Sequence, residues 1–141
     1  MSGFFANLAD QVQTHGPLCV GLDPHFEDVT TPDQARRFCG RVISATQEHA
    51  CAFKPNSAFF EALGSQGYEV LEALSGQMQR PMILDVKRGD IGSTAKAYAQ
   101  AAVHLGASAV TVQPYLGRDA VQPFLDAGLG VFVLCRTLST F

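Results

Sequence analysis

Four charged side chains follow directly on a short apolar run near the middle of the chain. The stretch PMILDVKRGDIGST, residues 81–94, carries Asp85, Lys87, Arg88 and Asp90 where a buried strand would end. Burying such charges costs several kcal/mol each unless they are paired. The pattern therefore indicates either a structural ion-pair cluster or the chemical centre of the protein.

The spacing of these charges predicts that several of them meet. Asp85 and Lys87 are two residues apart, so in a strand their side chains point the same way, about 7 Å apart. Lys54 ends an earlier apolar run, ACAFKPN, and would stand beside them. Asp90 lies just past the strand, between two glycines that we expect to let the backbone turn tightly. We predict an array in which each charge has an opposite neighbour, in the order Lys54–Asp85–Lys87–Asp90.

Such an array has a definite chemical use. It keeps a lysine protonated and a carboxylate ionised at neutral pH. That combination is suited to delivering a proton to a developing carbanion beside a fixed negative charge. A purely structural ion-pair network is the alternative, and the placement of Lys54 and Asp90 beside the strand weighs against it. Arg88 points the opposite way from Lys87, so we expect it to face solvent or an interface.

Alternating helices and strands must position these side chains. Helical segments are predicted at residues 3–15, 31–49 and 94–106, with further helical stretches in SAFFEAL, YEVLEALSGQM and GRDAVQPFLDAG. Between them lie short, continuous apolar runs: LCVGLDP, ACAFKPN, PMILDVKRGD, SAVTVQP and LGVFVLCRT. Strands of this kind, spaced by roughly 25 to 35 residues, are typical of a parallel sheet covered by helices. The fold class is therefore α/β.

Two parallel architectures fit this pattern, an open doubly wound sheet and a (β/α)₈ barrel. No GxGxxG or GxxxxGK[ST] motif follows any strand, which removes the usual nucleotide-binding fingerprints of the open sheet. Polar residues instead follow every strand, as they do at the catalytic end of a barrel. They are Asp23, Lys54, Asp85 with Lys87, Gln113, and Arg136 with Thr137.

A barrel of the (β/α)₈ type needs eight strands and about 250 residues. We therefore expect residues 1–141 to form one incomplete barrel domain of about five βα units, and residues 138–141 to be an unrelated tail.

Composition narrows the function classes. The chain is 47% hydrophobic and 16% charged with a net charge of −3, which is typical of a globular protein without a nucleic-acid partner. No stretch approaches the roughly 18 apolar residues of a membrane span, and the amino terminus lacks a signal pattern. The four cysteines include no CxxC pair, so we expect free thiols in a reducing, cytoplasmic environment and no metal site.

Three stretches resemble one enzyme family. LDVKRGDIGSTAKAYA is similar to the Asp-x-Lys-x-x-Asp signature of orotidine 5′-phosphate decarboxylases, and CVGLDP and FKPNSAFFEALG resemble the longer bacterial branch of that family. The resemblance implies decarboxylation of orotidine 5′-phosphate to UMP, the last step of pyrimidine synthesis, without metal or organic cofactor. It also implies a homodimer with shared active sites and a small nucleotide as the substrate.

The resemblance implies a role for each matching residue. Lys87 would donate the proton to C6 of the pyrimidine, and Asp85 would lie against the substrate carboxylate. Lys54 and Asp90 would complete the charge network. Asp23 and Lys54 would bind the ribose hydroxyls.

Four further positions have expected roles. The resemblance implies that Thr94, with Asp90, reaches the site of the other subunit. Asn56 follows Lys54 by two residues and could share its face, as a supporting substrate contact. Thr137 stands at the start of a Thr-Ser-Asn pattern that helps hold the base in the family, from which this sequence departs at Leu138. His25 is expected to be an ordinary loop residue.

Two alternatives stay open. One is a related barrel enzyme, a sugar-phosphate decarboxylase or aldolase, which a magnesium requirement would reveal. The other is a non-catalytic fragment. The family's phosphate grip follows strands seven and eight, so we expect the 141-residue chain by itself to be inactive.

Overall fold

Strands and helices alternate throughout the chain. The computed structural model describes residues 3–27 and 29–136. The strands are β1 (Leu18–Leu22), β2 (Ala50–Pro55), β3 (Ile83–Arg88), β4 (Ala109–Val112) and β5 (Gly130–Val133). The helices are α1 (Phe4–His15), α2 (Pro32–Thr46), α3 (Ser57–Glu61), α4 (Ser65–Ser75), α5 (Gly92–His104) and α6 (Gln122–Asp126), the last after a 3₁₀ turn at Arg118–Ala120. None of these helices is long and apolar enough to cross a membrane.

All strand pairs are parallel and follow the order of the chain. β1 pairs with β2, and β3, β4 and β5 form a second ladder. Bridges from Phe53 to Met82 and from Asn56 to Asp85 join β2 to β3. The order β1-β2-β3-β4-β5 is that of a barrel, whereas a doubly wound sheet reverses its order at a switch point. Within the described residues β1 and β5 do not pair with each other, so the five strands form an open arc.

Helix α2 shows how local sequence fixes a boundary. Thr31 caps it: the Thr31 hydroxyl accepts from Gln34 N–H, the Gln34 side chain accepts from Thr31 N–H, and Pro32 occupies the first turn. This capping box satisfies backbone donors that a helix start leaves free. The predicted end at residue 49 is wrong, because residues 47–49 form a turn that leads into β2.

The main core lies between the outer face of the strands and the helices. Its fully buried large side chains include Phe53, Phe60, Phe124, Leu71 and Leu84. Burying each such side chain stabilises the fold by about 1.5–3 kcal/mol. This layer holds the strand arc in place and leaves its inner face for other side chains.

Apolar residues line the inner face, and α1 packs against them. Ala52, Ile83 and Ala109 pack there with Phe4 of α1 and Phe132 of β5. The two phenylalanine rings meet edge to face at 5.9 Å. Beside them lies a cavity of about 390 Å³ whose lining includes Lys54 and Thr111. The charged strand ends therefore stand on the inner face of the arc, as the barrel prediction requires.

Candidate active site

A carboxylate flanked by two ammonium groups forms the centre of the site. Lys54 Nζ donates to Asp85 Oδ2 at 3.0 Å, and Lys87 Nζ donates to Asp85 Oδ1 at 2.6 Å. Asp85 is only 8% exposed, while the side chains of Lys54 and Lys87 are 35% and 52% exposed. A buried anion is thus held by two cations that can still be reached from solvent.

Asp90 does not belong to this group. Its Oδ1 accepts from the backbone N–H of Ile91 at 2.7 Å, and it makes no ion pair within the described residues. The predicted four-membered array is therefore wrong within one chain. The reason is that β3 ends at Arg88, and the chain then turns toward α5, carrying Asp90 away from Lys87.

The backbone at Lys87 departs from a regular strand. Leu84 pairs with Val110 but Arg88 pairs with Val112, so four steps along β3 match two along β4. Lys87 has φ 45°, the only positive φ of a non-glycine residue among those described. Holding an L-residue in this region costs of order 1–3 kcal/mol and is common at functional sites. The two side chains meet as predicted, but through a bulged backbone and not through simple alternation.

The glycines that follow β3 act differently from the expectation. Neither Gly89 nor Gly92 has a positive φ. A Cβ on Gly89 would lie 2.4 Å from the carbonyl oxygen of Gln113, whereas one on Gly92 would meet nothing closer than 3.9 Å. Gly89 is required because the Gln113 carbonyl, just after β4, approaches closely, and not because the turn needs a left-handed residue.

Thr111 of β4 completes the centre, and sequence reasoning missed it. Its hydroxyl donates to Asp85 Oδ1 at 2.8 Å and accepts from the backbone N–H groups of Val86 and Lys87, each at 3.0 Å. A signal was present, because Thr111 follows the inward-facing Ala109 by two residues in an otherwise apolar strand. We call Lys54, Asp85, Lys87 and Thr111 the Asp85 cluster.

The cluster keeps Asp85 ionised. Burial raises the pKa of this carboxyl, but hydrogen bonds from Lys87, Thr111 and Lys54 outweigh burial and hold the pKa below its usual value. At neutral pH the structure thus places a carboxylate charge beside an ammonium proton. Proton donation next to a fixed anion is the chemistry that this arrangement can perform.

Two further predicted substrate contacts, Asp23 and Asn56, follow β1 and β2 and have different surroundings. Asp23 lies just beyond β1, and its Oδ1 is buried with no hydrogen-bond partner among the described residues. A buried carboxylate oxygen normally has a donor, so this atom is suited to accept from a ligand hydroxyl. Asn56 instead caps α3, with its side-chain oxygen accepting from Ala58 N–H at 3.2 Å.

The remaining candidates lie at the edges of the site or outside it. Thr94 is half-buried in the first turn of α5. Gln113 holds the turn after β4 by accepting from Tyr115 N–H at 2.7 Å. The exposed ring of His25 packs edge to face on Phe59. Thr137 and the predicted tail, residues 138–141, lie outside the described residues.

Arg88 corrects one expectation. It is half-buried on the outer face of the arc, where its guanidinium pairs with Glu61 at 2.5 Å and lies 5.0 Å from the centre of the Tyr98 ring. It therefore joins β3 to α3 and α5 and does not simply face solvent. In the described ranges no group of three or more His, Cys, Asp or Glu side chains is arranged to hold a metal ion.

The sequence of this chain is similar to those of known enzymes. Residues 16–140 match the family model described as the orotidine 5′-phosphate decarboxylase / HUMPS family. An orotidine 5′-phosphate decarboxylase of Roseiflexus sp. strain RS-1 is 52% identical over 128 residues, covering 85% of this chain and 47% of the relative. One from Natronomonas pharaonis is 46% identical over 147 residues, covering 95% and 53%.

A solved structure gives the same result for the fold. The orotidine 5′-phosphate decarboxylase of Leishmania donovani superposes with a TM-score of 0.91 at 43% identity, over 98% of this chain and 55% of that one. The chain thus spans about half the length of the relatives it matches. The prediction of a (β/α)₈-type fold with about five βα units is confirmed.

Proposed function

The chain belongs to the orotidine 5′-phosphate decarboxylase / HUMPS family, and on that premise we propose that it supplies the catalytic half of an enzyme that converts orotidine 5′-phosphate to UMP. The observation that carries the proposal is the Asp85 carboxylate, buried and held between the ammonium groups of Lys54 and Lys87. This is a carboxy-lyase reaction, and the chemistry asks for a proton donor beside a fixed negative charge.

Lys87 is the proton donor in this proposal. The bond between C6 and the substrate carboxylate breaks, CO₂ leaves, and the electron pair stays on C6. Lys87 Nζ then gives its proton to C6 and regains one from water, which its 52% exposed side chain can reach. The carbanion has no adjacent carbonyl to spread its charge, so the enzyme as a whole must lower the barrier by an amount near the top of the ~8–23 kcal/mol range of enzymes, and the Lys87 ammonium contributes part of that stabilisation.

Asp85 acts by its charge and by its position. It is proposed to lie against the substrate carboxylate, and it holds Lys87 Nζ at 2.6 Å. Groups fixed before the reaction cost no reorganisation at the moment when charge moves. The Asp85–Lys87 pair is therefore placed to hold the proton against C6 throughout the bond cleavage.

Lys54 and Asp23 are proposed to bind the ribose. Lys54 Nζ has three N–H donors, and within the part of the chain that the structure describes it uses one, on Asp85, which leaves others for a hydroxyl. The buried Asp23 Oδ1 supports the assignment, because it needs a donor. Asn56 supports the site by capping α3, and Thr137 is proposed to contact the base.

We further propose a homodimer in which Asp90 and Thr94 contact the partner's substrate. The absence of Asp90 from the Asp85 cluster of its own chain is in keeping with this role. An exposed apolar side chain, that of Ile91, directly follows Asp90 and is 61% exposed. Sedimentation analysis tests the dimer. The free thiols of the described cysteines favour a cytoplasmic location.

The decisive experiment replaces the matching segment of the Roseiflexus decarboxylase with residues 1–136 and measures loss of orotidine 5′-phosphate. We expect turnover by the chimera, loss of at least ~10³-fold with Lys87→Ala, and no loss with Lys96→Ala. Lys96 is a matched control because it is an exposed lysine on α5. Substantial activity without Lys87 would contradict the assignment, and a requirement for magnesium would instead favour a sugar-phosphate enzyme.

A further inference from the structure

We propose that Thr111 is a positioning residue of the site, whose hydroxyl holds the Asp85 carboxylate and the bulged backbone of Lys87 in one fixed arrangement. The effect of Thr111 on catalysis rests on the proposed function, whereas its hydrogen bonds to β3 do not depend on that function. Thr111 lies on β4, and the two residues it holds lie on β3.

The hydroxyl uses its full bonding capacity on β3. A threonine hydroxyl has one donor and two acceptor sites. Both acceptor sites are taken by the backbone N–H groups of Val86 and Lys87 at 3.0 Å, so the hydroxyl proton is directed to Asp85 Oδ1 at 2.8 Å. The direction of this last hydrogen bond is therefore set: Asp85 Oδ1 must accept, and the ionised carboxylate can do so.

The bulge explains why a side chain is needed here. Backbone pairing of β3 with β4 is regular at Ile83 and Leu84 and resumes only at Arg88. Between these points the amides of Val86 and Lys87 are turned to the Thr111 hydroxyl instead of a β4 carbonyl. The hydroxyl therefore substitutes for a ladder acceptor where the chain bends, at the residue with φ 45°.

The consequence reaches the reacting atoms through Lys87. The side chain of Lys87 leaves a backbone whose direction depends on the bulge, and its Nζ ends on the same Asp85 oxygen that Thr111 contacts. Loss of the hydroxyl therefore removes both the contact that holds the Lys87 backbone and the contact that holds the Asp85 carboxylate. The three hydrogen bonds of the Thr111 hydroxyl go to Asp85, Val86 and Lys87, so the effect assigned to Thr111 is on the orientation of Lys87 and Asp85.

The first test is structural and uses the 141-residue chain. Thr111→Val keeps the shape and removes the hydroxyl, and Thr111→Ser keeps the hydroxyl. Thr46→Val on α2 is the control, since among the described residues the Thr46 hydroxyl bonds only Val42 O of its own helix. We expect amide hydrogen exchange at Lys87 to rise about tenfold or more in Thr111→Val, and to change by less than about twofold in the other two variants. Thr111→Ala replaces the valine variant if the latter does not fold.

A second readout follows the carboxyl itself. Carbon-13 NMR titration should show a higher pKa for Asp85 in Thr111→Val than in the parent, because a donor to the carboxylate is lost. The groups facing Asp85 in the parent are Lys54 and Lys87, which remain. Unchanged exchange at Lys87 together with an unchanged Asp85 pKa would overturn the proposal. Equal changes in the serine and valine variants would do so too, since the methyl group would then be responsible.

The third readout separates this inference from the proposed function. In the Roseiflexus chimera, Thr111→Val should lower kcat at least about tenfold with KM changed less than about threefold, and serine should restore most of the loss. A chimera without turnover would contradict the proposed function, while exchange and titration would still decide the role of Thr111. A matching loss in kcat and rise in KM would overturn the positioning role.

Discussion

Replacing Lys87 by glycine and by alanine should give a stability order opposite to that of an ordinary strand residue. Both variants lose the ammonium group and its bond to Asp85, so that loss cancels in the comparison. They differ in backbone freedom. Lys87 has φ 45°, where glycine is comfortable and any residue with a Cβ is strained.

The magnitude follows from two opposing terms. Alanine in the left-handed region costs roughly 1–2 kcal/mol. Glycine avoids this but loses about 0.5–1 kcal/mol more conformational entropy on folding than alanine. Subtracting the centres of the two ranges leaves Lys87→Gly more stable than Lys87→Ala by about 0.8 kcal/mol. In a regular strand the entropy term alone would act, and alanine would be more stable by about the same amount.

Urea unfolding followed by circular dichroism measures the order. With a slope of about 2 kcal/mol per molar urea, the midpoint of Lys87→Gly should lie about 0.3–0.5 M above that of Lys87→Ala. Val86→Gly against Val86→Ala is the control pair, since Val86 has no positive φ and should show the ordinary order. A midpoint for Lys87→Ala at or above that of Lys87→Gly would refute the claim that the proton donor stands on a strained backbone.

Other predictions address the surroundings of the cluster. Arg88→Ala should lower the free energy of unfolding by about 1–2 kcal/mol, because it removes a half-buried ion pair and a cation–π contact, whereas Arg37→Ala, which breaks only an exposed pair on α2, should cost less than about 0.5 kcal/mol. The lowered pKa of Asp85 means that its ionisation contributes stability above the ordinary carboxyl pKa and that this contribution is lost as pH falls through the folded pKa. Asp85→Asn should therefore flatten the stability profile below about pH 4, which unfolding measured between about pH 2 and 6 would detect; an unchanged acid limb would contradict it. Gly89→Ala should separate the ends of β3 and β4 at the Gln113 carbonyl and cost at least about 1–3 kcal/mol, with Gly92→Ala as the tolerated control.

The centre of the site was predictable because it depends on which residues follow each apolar run, and the fold does not alter that local order. Parallel strands bring their carboxyl ends to one edge, so Lys54 and Asp85 had to be neighbours once both runs were recognised as strands. The cap at Thr31 was equally local, because a threonine hydroxyl reaches only its own helix start. The sequence predicted the positions of Arg88 and Asp90 less accurately, because those positions depend on contacts with other elements of the fold.

The sequence by itself determined the alternation of helices and strands, the barrel order and the charges at the strand ends. These depend on apolar runs, turn residues and capping groups within a few positions of one another. Tertiary structure alone decided the bulge at Lys87, the exclusion of Asp90 and the role of Thr111. The physical reason is that each depends on the register between β3 and β4, where Thr111 meets an Asp85 carboxylate 26 residues away in the chain. Side-chain alternation assumes a regular ladder, and the site was built where the ladder is broken.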